Sequence, residues 1–137
     1  MTPSELASIV VKRRIQWVDT DASGWYHNTA ALRLIEEAEH VLMDRLGILN
    51  EVIARVPRVH ISVDFRRVLR FWDEVEVAIR VTDVGESSVT YAFEVRNEGE
   101  ISAEGKAVAV LVTKEGKPTP WLEEHRRLLL GAGPLKA

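Results

Sequence analysis

The sequence lacks cysteine altogether, which excludes disulfides, thiolate-ligated zinc and cysteine nucleophiles. It also lacks an excess of positive charge: 18 lysines and arginines face 21 aspartates and glutamates, so no overall basic surface for nucleic acid is expected. No apolar run approaches the roughly 20 residues that span a bilayer, and the first residues have no apolar core of a secretory signal. These absences predict a cytoplasmic protein that inserts into no membrane.

What is present is typical of a globular domain. The chain has 137 residues, of which 46% are hydrophobic and 28% charged, enough to bury a core and too few residues for two ordinary domains. Repeats, low-complexity tracts and interdomain linkers are not evident in the sequence. We therefore predict a single domain over residues 1–137, with residues 131–137 as a frayed tail.

The first half of the chain changes its hydrophobic period once. Residues 9–18 alternate, which predicts a half-buried strand with Trp17 in the core. Polar and turn-forming residues follow at 19–28. From Thr29 the period becomes helical, with Asn28 or Thr29 as the cap and Gly47 just beyond the end. The apolar stripe of this helix comprises Ala31, Leu34, Ile35, Ala38, Val41, Leu42 and Leu46.

Four more alternating segments follow, with short connections that favour an antiparallel meander. The segment Asn97-Glu98-Gly99-Glu100 is typical of a hairpin turn. The last strand, about 101–113, is apolar on both faces and is expected to be central, and residues 121–130 suggest a short helix. The pattern predicts an α+β fold in which an antiparallel sheet of about five strands wraps around one long helix.

The polar segment at 19–28 is where chemistry is expected. It lies just before the N-terminus of the long helix, whose free backbone N–H groups can stabilise an oxyanion. A carboxylate a few residues earlier could attack the carbonyl or activate a water. The alternative is that Asp19 and Asp21 only form the turn and cap the helix.

The stretch WVDTDASGWYHNTAALRLIEEAEHVL resembles the signature of the 4-hydroxybenzoyl-CoA thioesterase-like family of hotdog-fold acyl-CoA thioesterases. The pattern D-x-D-x-x-G-x-x-x-N falls on Asp19, Asp21, Gly24 and Asn28. An E-x-A pattern in the helix and Phe71-Trp72-Asp73 before a strand also fit, and the resemblance covers roughly residues 8–130. It implies a hotdog fold and hydrolysis of a thioester to a carboxylic acid and free coenzyme A.

The resemblance also implies roles for individual residues. Asp21 corresponds to the catalytic carboxylate, as nucleophile or general base, and the backbone N–H at Asn28 to the group that polarises the thioester carbonyl. Gly24, Trp25, Tyr26 and His27 are expected to contact the substrate. Trp25 and Tyr26 would alter the lip of the pocket relative to many relatives, and His27 is either a proton shuttle or a histidine oriented by its neighbours.

Several alternatives remain open from the sequence. Glu36 is a second candidate carboxylate, because a minority of hotdog thioesterases carry theirs on this helix. The substrate could be an acyl-CoA or an acyl-carrier-protein thioester. The protein could instead be a non-catalytic binding module for either, or a hotdog hydratase or dehydratase. No histidine pair has metal-ligand spacing, so neither a metal nor another cofactor is expected. The resemblance implies a homodimer or a homotetramer, with active sites at subunit interfaces.

Overall fold

One six-stranded sheet packs against a long helix in the computed structural model, which describes residues 5–137. Short 3-10 turns lie at Trp17–Asp19 and Ile53–Arg55. None of the helices within residues 5–137 combines the length and apolar character that crossing a membrane requires. In chain order the other elements are β1 (Ser8–Arg14), α1 (Asn28–Arg45), α2 (Leu49–Val52), β2 (Arg58–Phe65), β3 (Glu74–Val84), β4 (Ser88–Asn97), β5 (Glu100–Val110), α3 (Glu123–Gly131) and β6 (Pro134–Leu135).

The strands follow the order β2-β5-β4-β3-β1-β6. All neighbouring pairs are antiparallel except β1 and β6, which are parallel. The predicted α+β architecture is confirmed, and β5 lies inside the sheet as its two apolar faces indicated. The extra strand comes from the C-terminal segment. The prediction that residues 131–137 fray is wrong, since Ser8 N donates to Gly133 O (3.1 Å) and Arg45 Nε donates to Lys136 O (3.1 Å).

Helix α1 buries its apolar stripe against the sheet, and its ends are set by two local features. Gly47 lies just beyond the C-cap with a φ of 81°, a left-handed conformation that glycine adopts without steric cost. At the other end, neither Asn28 nor Thr29 is the cap. His27 has extended backbone angles, and its Nδ1 accepts a hydrogen bond from Thr29 N (3.1 Å). An imidazole nitrogen thus replaces the hydroxyl or carboxylate oxygen that usually caps a helix.

The β4–β5 hairpin forms at the predicted position. Its two central residues, Glu98 and Gly99, both have positive φ (51° and 79°), as a type I′ turn requires. The strands continue into a register in which Phe93 lies opposite Gly105. This hairpin places β5 between β4 and the edge strand β2, whose C-terminal end borders the functional site.

Trp17 is not in the core, contrary to the prediction from alternation. The strand ends at Arg14 and the chain enters a 3-10 turn, so the two-residue period stops after Ile15. Ile15 is buried, whereas the side chain of Trp17 is 76% exposed. The loss of extended geometry at this point turns the indole from the interior to the surface.

Candidate functional site

The site begins at the loop of residues 19–28, called the acidic loop here, which runs from the 3-10 turn to helix α1. Asp19 anchors this loop from a buried position, with its carboxylate accepting hydrogen bonds from Gln16 N (2.7 Å) and from Arg33 on α1 (Nη2 to Oδ2, 2.7 Å). Its carbonyl oxygen also accepts from His27 N. Asp19 is therefore fully engaged in holding the loop against the helix.

Asp21 has the opposite environment, because its carboxylate is exposed. Its Oδ1 accepts hydrogen bonds from the Ser23 hydroxyl and from Ser23 N (2.8 Å), an Asx-type turn. These two bonds, the hydroxyl first, hold the pKa of the Asp21 carboxyl below its ordinary value. Gly24, with a φ of 86°, lets the backbone turn back so that Gly24 N donates to Asp21 O (3.0 Å). Asp21 is thus ionised near neutral pH and open to solvent.

The acidic loop ends where helix α1 presents its first backbone N–H groups. Thr29 N is satisfied by the imidazole of His27, and Ala30 N donates to the His27 carbonyl (2.9 Å). Within residues 5–137, the amide N–H of Asn28 has no hydrogen-bond acceptor. It stands at the positive end of the helix dipole, so it can donate to an oxygen that gains negative charge.

A cavity of about 380 Å³ brings these groups together. Its volume lies in the range of small-molecule sites. Tyr26 and Phe65 form one of its walls, with their rings edge to face at 6.3 Å between centroids. The lining combines one exposed carboxylate, a helix N-terminus, aromatic rings and two guanidinium groups: Asp21, Ser23, Trp25, Tyr26, Asn28, Phe65, Arg66, Arg67 and Val68.

The predicted site residues divide into two groups in space. Asp21, Trp25, Tyr26 and Asn28 line the cavity, whereas Gly24 and His27 lie outside its wall and shape the loop and the helix cap. A larger cavity, about 680 Å³, lies against β1, β3, β4 and the C-terminal residues, and none of the predicted site residues lines it. The smaller cavity is therefore the one with the elements of an acyl-transfer site.

Glu36, the second candidate carboxylate, does not line this cavity. It lies on α1, where one of its carboxylate oxygens is 3.4 Å from Arg58 Nη1. The same arginine contacts the buried Glu39 more closely, at 2.9 Å. Within residues 5–137, no three histidine, aspartate or glutamate side chains converge as a possible metal site.

Sequence reasoning missed the wall that β2 contributes. Phe65 ends this strand, and Arg66, Arg67 and Val68 follow it. The sequence shows the arginines as a basic cluster, but only a tertiary contact places them beside the acidic loop: Tyr26 N donates to Leu69 O (2.7 Å). Ser23 was also missed, although the D-x-S spacing is a known signal for an Asx turn.

Comparison with known proteins places this arrangement in a family. Residues 15–129 match the profile of the thioesterase-like superfamily, and this range includes the acidic loop, α1 and strands β2 to β5. The chain belongs to this superfamily, so the predicted resemblance to hotdog-fold thioesterases is confirmed. The expectation that the protein is a thioester hydrolase is also confirmed, because the relatives whose names give an activity are thioesterases or hydrolases.

Three relatives illustrate the match. A 1,4-dihydroxy-2-naphthoyl-CoA hydrolase from Crocosphaera subtropica is 26% identical over 123 residues, covering 86% of this chain and 88% of the relative. A thioesterase from Thermus thermophilus, solved with coenzyme A and zinc, is 26% identical with a TM-score of 0.80, covering 94% of each chain. A 1,4-dihydroxy-2-naphthoyl-CoA thioesterase from Synechocystis shares the fold (TM-score 0.77, 18% identity, 89% and 95% coverage).

Proposed function

We propose that this protein hydrolyses acyl-CoA thioesters, with Asp21 as the catalytic carboxylate. One observation carries the proposal: Asp21, whose carboxylate is exposed, and Asn28, whose amide N–H has no acceptor within residues 5–137, line the same cavity at the N-terminus of α1. A carboxylate can attack or activate water, and a helix N-terminus can stabilise the oxyanion that results. The names of the relatives supply the thioester of coenzyme A as the substrate class.

Two chemical routes fit this geometry. As a nucleophile, Asp21 adds one carboxylate oxygen to the thioester carbonyl, coenzyme A leaves as the thiolate, and water cleaves the resulting anhydride to regenerate Asp21. As a general base, Asp21 takes a proton from water while the water oxygen attacks, and the thiolate leaves and is protonated. Both routes place negative charge on the carbonyl oxygen, where the Asn28 N–H donates.

The acyl group in this proposal is aromatic. The cavity wall includes the edge-to-face pair of Tyr26 and Phe65, and Trp25 borders the same space. Flat rings pack well in such a wall through offset and edge contacts. Two of the relatives act on aromatic acyl-CoAs, a dihydroxynaphthoyl and a gentisyl thioester.

A homodimer is part of the same proposal. Strand β2 is an edge of the sheet, and Val59 and Phe65 on it are exposed, although edge strands are normally protected. Because Phe65 also lines the cavity, a partner that paired with β2 would cover the strand and close the site. Light scattering tests this: we expect the mass of a dimer or a tetramer, and an active monomer would contradict it.

The test of the activity is a hydrolysis assay with a thiol-trapping dye on a panel of aromatic and aliphatic acyl-CoAs. Replacing Asp21 with Asn keeps the shape and removes the charge, so we expect kcat to fall by at least about 100-fold with a small change in KM. Glu36→Gln tests the alternative carboxylate, and Asp83→Asn, on the exposed face of β3, is the matched control. Loss of activity with Glu36→Gln and not with Asp21→Asn would contradict the assignment of Asp21.

If no thioester is cleaved but acyl-CoA binds, the protein is a binding module. Hydration of an unsaturated acyl-CoA without release of thiol would instead identify a hydratase. Both outcomes would overturn the hydrolase proposal. Calorimetry with an intact acyl-CoA detects binding without cleavage, and separate measurement of product and free thiol on an unsaturated acyl-CoA detects hydration.

A further inference from the structure

Four aromatic side chains and two arginines are grouped around the turn at residues 70–73, and one of them, Trp25, lines the cavity; this group is called the aromatic strip here. Its members are Trp17, Trp25, Phe71, Trp72, Arg14 and Arg70. Trp17, Phe71 and Trp72 are 76%, 48% and 53% exposed. The ring of Phe71 contacts the other two, with centroids 5.6 Å from that of Trp17 and 5.8 Å from that of Trp72. Grouped aromatic exposure of this kind marks a binding surface more often than isolated exposed residues do.

The backbone holds Trp72 at the surface at a conformational cost. Its φ is 72°, in the left-handed region that a bulky side chain rarely adopts. Trp72 N donates to Ile15 O (2.7 Å), and Arg14 Nη1 donates to Trp72 O (2.9 Å). Asp73 accepts a hydrogen bond from Arg70 N (2.9 Å), which closes the turn. The indole is thus displayed by a rigid turn and is not an incidental exposed side chain.

The two arginines lie on the indole faces. The Arg14 guanidinium is 5.0 Å from the Trp72 ring centroid, and the Arg70 guanidinium is 4.5 Å from that of Trp25. Arg14 is also paired with Glu74 (3.2 Å), whereas Arg70 has no carboxylate at ion-pair distance from its guanidinium within residues 5–137. A stacked guanidinium keeps its N–H edges free, and phosphate oxygens fit these edges in bidentate geometry.

The aromatic strip begins at the wall of the cavity. Trp25 lines the cavity together with Asp21, and its backbone forms a β-bridge with Arg70. The Cα atoms of Arg70 and Trp72 are at most about 7 Å apart, because only Phe71 lies between them in the chain. A ligand that leaves the cavity past Trp25 therefore meets a free positive charge first and exposed aromatic rings next.

We propose that the aromatic strip binds the nucleotide end of a coenzyme A thioester, with Arg70 on a phosphate and the purine stacked on Trp72 or Trp17. This inference rests on the proposed function, because it extends the same site outward. The order of groups matches the ligand: thioester at Asp21, a flexible arm past Trp25, phosphates, then a flat purine. Stacking on aromatic side chains is the usual way in which proteins hold a base without reading its identity. A carrier protein would present a single phosphate and no purine.

A binding experiment tests the aromatic strip without any turnover. Calorimetry with adenosine 3′,5′-bisphosphate, which carries the adenosine and two of the three phosphates of coenzyme A, is expected to show binding that weakens by about 10-fold or more in Trp72→Gly and in Arg70→Gln. Glycine relieves the positive φ at position 72, so the variant keeps the fold. Leu122→Ala removes an exposed apolar side chain elsewhere and is the control. Absence of binding to the unaltered protein would overturn the inference.

A kinetic experiment separates this inference from the proposed function. The same acyl group is offered as its coenzyme A thioester and as its N-acetylcysteamine thioester, which lacks the nucleotide. We expect Trp72→Gly and Arg70→Gln to raise KM for the first substrate about 10-fold and to leave the second unchanged. Equal effects on both substrates would overturn the inference. Hydrolysis of neither substrate would overturn the proposed function, while the bisphosphate titration would still decide the role of the strip.

The other possible occupants give different results. If a second copy of the chain covers the strip, Trp72→Gly will change the mass in light scattering and leave the affinity for the bisphosphate unchanged. If a carrier protein is the partner, a carrier-protein thioester will be preferred over the coenzyme A thioester and the bisphosphate will not compete. Either result would overturn the inference.

Discussion

Asp19 and Arg33 form a bidentate ion pair that ties the acidic loop to helix α1, with Arg33 Nε 3.1 Å from Oδ1 and Nη2 2.7 Å from Oδ2 of Asp19. The carboxylate is buried and the guanidinium is partly exposed. Arg33 also contacts Glu37 one helical turn further on (2.9 Å). The two aspartates of the D-x-D motif therefore differ: Asp19 is a positioning residue, and Asp21 faces the cavity.

We expect Asp19→Asn and Arg33→Met each to lower the free energy of unfolding by about 2 kcal/mol, because each leaves a charged or hydrogen-bonding partner unpaired. The double variant should cost little more than either single one, since both remove the same interaction. Urea unfolding of the three variants measures this coupling. Strictly additive losses would show that the pair does not act as a unit.

Ser23→Ala is expected to change the pH dependence of hydrolysis. The Ser23 hydroxyl is the largest of the causes that lower the pKa of Asp21, so its removal raises that pKa. The reaction needs ionised Asp21, and activity is lost as pH falls through its pKa. The acid limb of kcat/KM should therefore move to higher pH in the variant.

Thr20→Ala is the matched control for this profile. It removes another hydroxyl from the acidic loop, one that donates to Trp17 O (2.8 Å) and does not contact Asp21. An acid limb that moves equally in both variants would indicate a general effect on the loop and would argue against titration of Asp21.

Arg58→Met is expected to destabilise the protein through Glu39. Burial raises the pKa of Glu39, and the adjacent Arg58 opposes that rise. Without the arginine, a charged Glu39 stays buried and unpaired at neutral pH, and we expect a loss of about 3 kcal/mol. The pKa of Glu39 rises further in the variant. As the pH falls below this pKa, Glu39 becomes protonated and the loss of stability becomes smaller.

The measurement is urea unfolding of the unaltered protein and of Arg58→Met at pH 7 and at pH 5. The stability difference should be smaller at pH 5, and Arg58→Met combined with Glu39→Leu should recover stability at pH 7. A pH-independent difference that persists in the double variant would show lost packing and not a buried charge.

Gly105→Ala is expected to loosen the edge strand. A Cβ atom at this position would overlap the carbonyl oxygen of Ser62 on β2 and lie 2.9 Å from Phe93 Cζ. Backbone cannot move aside without shifting β2, so we expect a loss of about 3 kcal/mol. Gly116→Ala is the control: its Cβ meets open space, and only its φ of 82° is unfavourable, which costs about 1 kcal/mol. Equal losses would contradict the steric explanation.

Local patterns in the sequence were sufficient for most of the fold. The helical period and the glycine at 47 predicted α1 to within a residue at each end, and Asn97–Glu100 predicted the hairpin. These features depend on neighbours within about four residues, which the sequence displays directly. The D-x-D pattern predicted a carboxylate before a helix N-terminus for the same reason.

Local pattern failed where the backbone changed conformation or where contacts were distant. In the sequence, Trp17 continues the alternation of β1, but the chain enters a 3-10 turn at this residue and the indole is exposed. The tail at 131–137 looked free because the residues that order it, Ser8, Ile9 and Arg45, lie far from it in the sequence. The burial of Glu39 has no local signal in the sequence, because its ion-pair partner, Arg58 on β2, lies 19 residues further along the chain.

The sequence by itself determined the order of the elements, the family and the pair of aspartates. Only the tertiary structure decided which distant groups meet: Asp21 and Asn28 share one cavity with Phe65 and the arginines after β2, and the Arg70 guanidinium lies over the Trp25 ring at its edge. The physical reason is that hydrophobic period records which face of an element is buried. It carries no information on which distant element covers that face, and strand order settles that choice.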